Sequence, residues 1–112
     1  MTDKILVLTT TGSEQDARKI ARELVERQLA ACVNIIPRIH SIYRWQEKIE
    51  ESEEYLLVIK TTAENFPRTR EAIEELHSYD LPECISIQIA EGSEAYLSWI
   101  NSSVAPGARR LS

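Results

Sequence analysis

The chain has 112 residues, 43% of them hydrophobic and 28% charged, which allows one small domain with an apolar core and little surplus stability. With 13 basic against 18 acidic residues the formal net charge is −5, and no segment gathers Lys or Arg along one face, which argues against nucleic-acid binding by phosphate neutralisation. The short apolar run after Lys4 is too brief for a signal-peptide core and nothing approaches a membrane span, so the chain reads as cytoplasmic with no membrane partner.

Ile5 to Thr10 is β-branched and aliphatic and predicts a buried strand, ended by Gly12-Ser13. Ser13 is placed to cap a helix whose first turn holds Glu14 and Asp16, where the helix dipole favours negative charge. Ala17, Ile20, Ala21, Leu24 and Val25 recur at helical spacing and define one apolar face of a helix ending near Ala30. Cys32 to Trp45 is rich in β-branched and aromatic residues. Tyr55 to Lys60 is another apolar strand, and alternation carries it back to about Lys48, so the two pair as an antiparallel hairpin. A second helix is predicted over roughly Glu64 to Ser78, with Phe66, Ile73 and Leu76 inward and Pro67 in its first turn. Leu81-Pro82 breaks the chain before a strand from Cys84 to Ala90 that puts Ile85, Ile87 and Ile89 on one side. Ser93 then caps a last helix carrying Tyr96, Leu97, Trp99 and Ile100. These elements define a domain over residues 1–103; Pro106-Gly107 and Arg109-Arg110 mark 104–112 as a tail.

The resulting class is α+β, a ferredoxin-like β-α-β-β-α-β order with a C-terminal helix and a long β-hairpin. In that plan the second and fourth strands lie at opposite edges, which separates Cys32 from Cys84 by about 14 Å, beyond disulfide reach. Both cysteines read as small core hydrophobes of a reducing compartment, without a flanking basic group to activate either thiol.

The hairpin is long for such a domain. Val33 to Trp45, fully extended, covers roughly 43 Å, whereas a domain of this size is about 34 Å across. The ribbon must overhang its own body or bend, and Pro37 is the natural place for a bend or bulge. An overhang bearing Ile39, Tyr43 and Trp45 on one face exposes about 150–250 Å² per aromatic ring. A patch of that kind is typical of an interface, here with another copy of the chain. The competing reading is that the strand curls and both rings cover their own core.

The motifs Ala30-Ala-Cys-Val-Asn34, Ile36-Pro37, Ser41-Ile-Tyr-Arg-Trp45, Lys48-Ile-Glu50, Lys60-Thr-Thr62, His77-Ser-Tyr-Asp-Leu-Pro-Glu83 and Tyr96-Leu-Ser-Trp99 cover nearly the whole chain. In this order they resemble the CutA divalent-cation-tolerance family. The resemblance implies a ferredoxin-like protomer in a homotrimer, with hairpins exchanged between neighbours. It also implies an architecture similar to the PII signalling proteins, with ligand clefts between subunits and a role in tolerance of divalent metals, copper in particular. Relatives often carry Trp-Glu-Gly-Lys at the hairpin turn where this chain has Trp45-Gln-Glu-Lys48, and His-Pro-Tyr where it has His77-Ser78-Tyr79. Copper binding in some relatives is attributed to a first-strand cysteine, where this chain has Thr9 and Thr10.

No cofactor follows from the sequence; copper or another divalent cation is the candidate that the resemblance supplies. His77, followed by Tyr79, Asp80 and Glu83, is the candidate metal ligand. Its alternative reading is a helix-terminal His bonded to free carbonyls. Arg44, Trp45, Lys48, Lys60 and Tyr79 are candidate residues of an intersubunit cleft suited to a small anion, unless the cations instead pair with neighbouring glutamates. The acidic run Glu47, Glu50, Glu51, Glu53 and Glu54 reads as a solvated face, and His40 as a partly exposed strand residue. No Ser-His-Asp grouping, Walker loop, dinucleotide fingerprint or zinc spacing is present, so an enzyme is not expected.

Overall fold

The computed structural model describes residues 2–106. The chain order is β1 (Lys4–Thr11), α1 (Glu14–Glu26), β2 (Cys32–Trp45), β3 (Lys48–Thr62), a 3-10 turn (Ala63–Asn65), α2 (Phe66–Leu76), β4 (Ile85–Gln88) and α3 (Glu94–Ser103). The strands form one antiparallel sheet in the order β2-β3-β1-β4, giving a mixed α+β domain of four strands and three helices. The edges are β2 and β4, and the free Cys32 and Cys84 fall at opposite sides of the sheet. Both thiols are half-buried rather than enclosed in the core.

Strand alternation sorts the two faces. Val7 of β1 and Leu57 and Ile59 of β3 are fully buried against Ile20 and Leu24 of α1 and Ile73 of α2. Burial of one such side chain contributes about 1.5–3 kcal/mol, so this helix-covered face carries the core. Lys60, one residue out of phase with Ile59, meets Tyr96 of α3 on the opposite face. There α3 covers part of the sheet and the remainder stays open.

Local chemistry sets the element ends. Ser13 is extended, and its hydroxyl accepts a hydrogen bond from the Asp16 N–H at 3.1 Å, starting α1 as expected. The helix stops at Glu26, short of Ala30, because Gln28 turns left-handed (φ 59°). Its N–H then bonds Val25 O, and the Leu29 N–H bonds Leu24 O, the Schellman closure of a helix end. Leu29 and Ala30 are buried in that turn, while Val25 is exposed. Pro67 lies in the first turn of α2, which begins only after the 3-10 turn and ends at Leu76. Ser93 holds the N-cap position of α3 without a side-chain cap bond. Strand β4 is shorter than expected, and Ile85 and Ile87 share a side that is half exposed. Of the expected tail, Ala105 donates to Gln28 O and accepts from Asn65 Nδ2, and Pro106 O accepts from Arg68. Gly107, Arg109 and Arg110 lie outside the described residues.

The β2–β3 ribbon contains the bend that Pro37 predicts. Pairing runs from Cys32↔Lys60 to Ile36↔Leu56 and resumes at Ile39↔Glu54. Pro37 and Arg38 thus oppose Tyr55 alone, a bulge in which Arg38 takes φ 58°. One extra residue reverses the side-chain parity of everything beyond it. Ile39, Ser41, Tyr43 and Trp45 therefore stand on the open face with Ile36, not on the helix face. The ribbon lengthens the molecule, whose principal extents including it are 44 × 29 × 25 Å, and its tip leaves Ile42 at 66% and Ile49 at 61% exposure. Gln46 and Glu47 form the turn with φ of 49° and 67°, the signature of a type I′ hairpin. Without glycine this geometry stores about 1–3 kcal/mol per residue.

Candidate ligand cleft

On the open face, Thr10 of β1, Ser41, Tyr43 and Trp45 of β2, Glu54 of β3 and the α2–β4 loop residues Tyr79, Asp80, Leu81 and Glu83 enclose a cleft of about 450 Å³. A volume of this order suits a small molecule. Its walls come from distant stretches of chain: the bulge turns Tyr43 and Trp45 onto this face, and His77 brings the loop to it. His77 caps α2, and its Nε2 lies 2.6 Å from Thr10 O on β1. Its Nδ1 accepts the Tyr79 N–H at 3.0 Å. A carbonyl on one nitrogen and an N–H on the other fix the neutral tautomer with the proton on Nε2. The His77 and Tyr79 rings meet in a tilted contact, 4.6 Å between centroids and 45° between planes. Tyr79 then donates its phenol proton to Glu54 Oε2 at 2.7 Å. Gly12 leaves room for this ring, since a Cβ there would stand 3.1 Å from the phenol oxygen.

Glu54 corrects the reading of the acidic run as wholly solvated: it is 7% exposed, held by the Tyr79 phenol. Burial, and then the hydrogen bond to Glu54, push the Tyr79 phenol above its ordinary value; the Glu54 charge acts in the same direction, and Tyr43 also contributes. Burial, then the charge of Glu54, push the Glu83 carboxyl up as well. The cleft is thus a pocket of confined negative charge walled by three aromatic rings.

The other candidate residues fall elsewhere. Ile39 pairs with Glu54 at the base of the open-face row and is half-buried. Arg44 alternates with Tyr43 and Trp45 and points to the other side of the ribbon. Lys48 pairs with Trp45 at the hairpin tip, outside the cleft lining. Lys60 donates to Tyr96 Oη at 3.3 Å and sits 5.5 Å from that ring's centroid. The grouping of Arg44, Lys48 and Lys60 around one anion is therefore not formed within the chain; only Trp45 and Tyr79 of that set line the cleft. His40 is exposed, 3.1 Å from Glu51. Thr9 is fully buried on the helix face, whereas Thr10 lines the cleft. Sequence reasoning missed Thr10, Ser41, Glu54 and Leu81 as lining residues; the bulge parity was the readable signal for Ser41, and the alternation of β3 against the buried Leu57 and Ile59 the signal for the face of Glu54.

A bound metal fits this geometry poorly. Both His77 nitrogens are committed, and among the described residues no three His, Cys, Asp or Glu side chains converge to hold an ion.

Residues 5–103 match the model of the CutA1 divalent ion tolerance protein family. The chain belongs to that family. It is 50% identical to the divalent-cation tolerance protein CutA of Thermus thermophilus, over 85% of this chain and 92% of that one. Against Protein CutA of Mus musculus the identity is 44% over 82% of this chain, which spans about half (52%) of that relative. Among solved structures, CutA from Xylella fastidiosa superposes with a TM-score of 0.91 at 40% identity, covering 93% of this chain and all (100%) of that one. The fold and the hairpin are thus CutA features, and the cleft lies inside the matched region.

Proposed function

We propose that the chain works as a cytoplasmic homotrimer with PII-like architecture that binds a small ligand in the cleft, and that it serves divalent-cation tolerance, copper included, without catalysis. The observation that carries this reading is the placement of Tyr43 and Trp45, each 42% exposed in one protomer, as walls of a cleft on a ribbon that outreaches its body. Exposed rings beside unpaired sheet edges at β2 and β4 favour closure by further copies of the chain. Ile85, Ile87, Tyr96 and Trp99, all between 42% and 51% exposed, extend that apolar surface toward the β4 edge. The names of the relatives motivate the link to divalent cations, and the two free cysteines support a reducing compartment. A role for metal is then indirect, or uses groups that a neighbouring copy adds.

A thermal-shift screen of copper(II) and small metabolites, followed by isothermal titration, tests the reading. Ligand binding stabilises the native state by mass action. A ligand that raises the melting temperature of the wild type and not of Trp45→Ala supports it. Absence of any stabilising metal or metabolite would retire the binding role and leave a second reading, a scaffold trimer.

A further inference from the structure

We propose that the cleft takes an organic cation, an ammonium group carried on a small molecule, with the charge placed among Glu54, Asp80 and Glu83 and the carbon substituents against Tyr43, Trp45 and Tyr79. This deepens the proposed ligand-binding role and rests on it.

Three observations converge. First, every ionisable side chain lining the cleft is an acid or a tyrosine; Glu54, Asp80 and Glu83 bring negative charge, and none of the lining residues is Lys or Arg. The charged groups that this chain brings to the cleft repel an anion. Second, the carboxylates surround the space without meeting at a point, since no metal-holding group of three forms among the described residues. A bare divalent ion demands short, converging oxygens, whereas an alkylammonium spreads its charge over methyl or methylene groups and tolerates dispersed partners. Third, the carboxylates share the cleft with three aromatic rings, whose faces attract a cation through their quadrupoles. Tyr79 is oriented by bonds at both ends, from its N–H to His77 and from its phenol to the buried Glu54, so that wall is built before any ligand arrives.

The elevated Glu83 carboxyl fits the same picture: Glu54 and Glu83 repel, and a cation between them relieves the repulsion. A volume of about 450 Å³ exceeds what an ammonium headgroup fills and leaves space for an attached chain. The Tyr79 phenol bond to Glu54 is a positioning contact and not part of the cation cage, because it directs one carboxylate oxygen away from the ligand.

The test uses choline as the cationic probe, 3,3-dimethylbutan-1-ol as its uncharged carbon isostere and sodium sulfate as an anion, titrated calorimetrically into the full-length protein. The expected result is that choline binds about tenfold or more tightly than the isostere, that sulfate shows no heat beyond dilution, and that Asp80→Asn/Glu83→Gln weakens choline at least fivefold. Those two substitutions are in exposed loop positions, and circular dichroism shows that the fold is kept. Equal affinity for choline and its isostere, or sulfate binding that the double substitution strengthens, overturns the proposal. Failure of choline to bind a protein that stabilises with some other ligand overturns the cation assignment alone and leaves the ligand-binding role standing.

Discussion

The two faces of the sheet differ in what they need from outside. On the helix face, Val7, Ile20, Leu24, Leu57, Ile59 and Ile73 are fully buried within one chain. On the open face and the projecting ribbon, Ile42, Tyr43, Trp45 and Ile49 stay between 42% and 66% exposed. The same strand β3 serves both: its residues near Ile59 belong to a finished core, and those near Ile49 to a ribbon without a covering layer. Stability therefore resides where α1 and α2 cover the sheet, and the exposed side chains of the candidate cleft lie on the face those two helices leave open.

The sharpest break of this contrast is a cavity in the finished half. Ile59→Ala should destabilise the protein by about 2–5 kcal/mol in urea unfolding, whereas Ile42→Ala should leave protomer stability within about 0.5 kcal/mol. Equal costs for the two would erase the distinction.

Next is the contact that closes the cleft floor. Tyr79→Phe removes the donor to a nearly buried Glu54 carboxylate and should cost about 1–3 kcal/mol. Because the Tyr79 phenol is raised by burial and by Glu54, the folded state holds this proton more tightly than the unfolded chain. Its contribution is whole below the ordinary tyrosine value of 10.0 and declines as pH rises above it. The stability difference between wild type and Tyr79→Phe should therefore shrink between neutral pH and pH about 11. A difference that is constant with pH would show that the phenol proton is not involved.

The smallest expected effect, and the only gain, is at the ribbon tip. Glu47 holds φ 67° without being glycine, so Glu47→Gly should add about 1 kcal/mol of stability by relieving the left-handed backbone. A loss of stability there would mean that the Glu47 side chain makes contacts worth more than the strain.

The fold was legible because its signals are local and periodic. The helical spacing of Ala17, Ile20 and Leu24, the alternation through Tyr55 to Lys60 and the Pro67 helix start all lie within one element. Pro37 even marked the bulge. Element ends were harder: Gln28 closes α1 by a left-handed turn that Asn or Gly would have announced more clearly. The cleft was only partly legible, because its bonds join residues far apart in sequence. Nothing near His77 reveals that its ring reaches Thr10 O on β1, and nothing in the glutamate run singles out Glu54 as the acceptor of a phenol from the α2–β4 loop. Residue type suggested a metal at His77 and an intersubunit anion site at Arg44, Lys48 and Lys60; within one chain, parity turns Arg44 to the other side of the ribbon, Lys48 stands beside Trp45 at the tip, and Lys60 meets Tyr96.

Sedimentation velocity of the purified protein at micromolar concentration tests most directly whether the ribbon and open face are completed by sister chains. The account predicts a single species of three times the 12.8 kDa chain mass, shifted toward smaller species by Trp45→Ala. A folded species at the mass of one chain would contradict it.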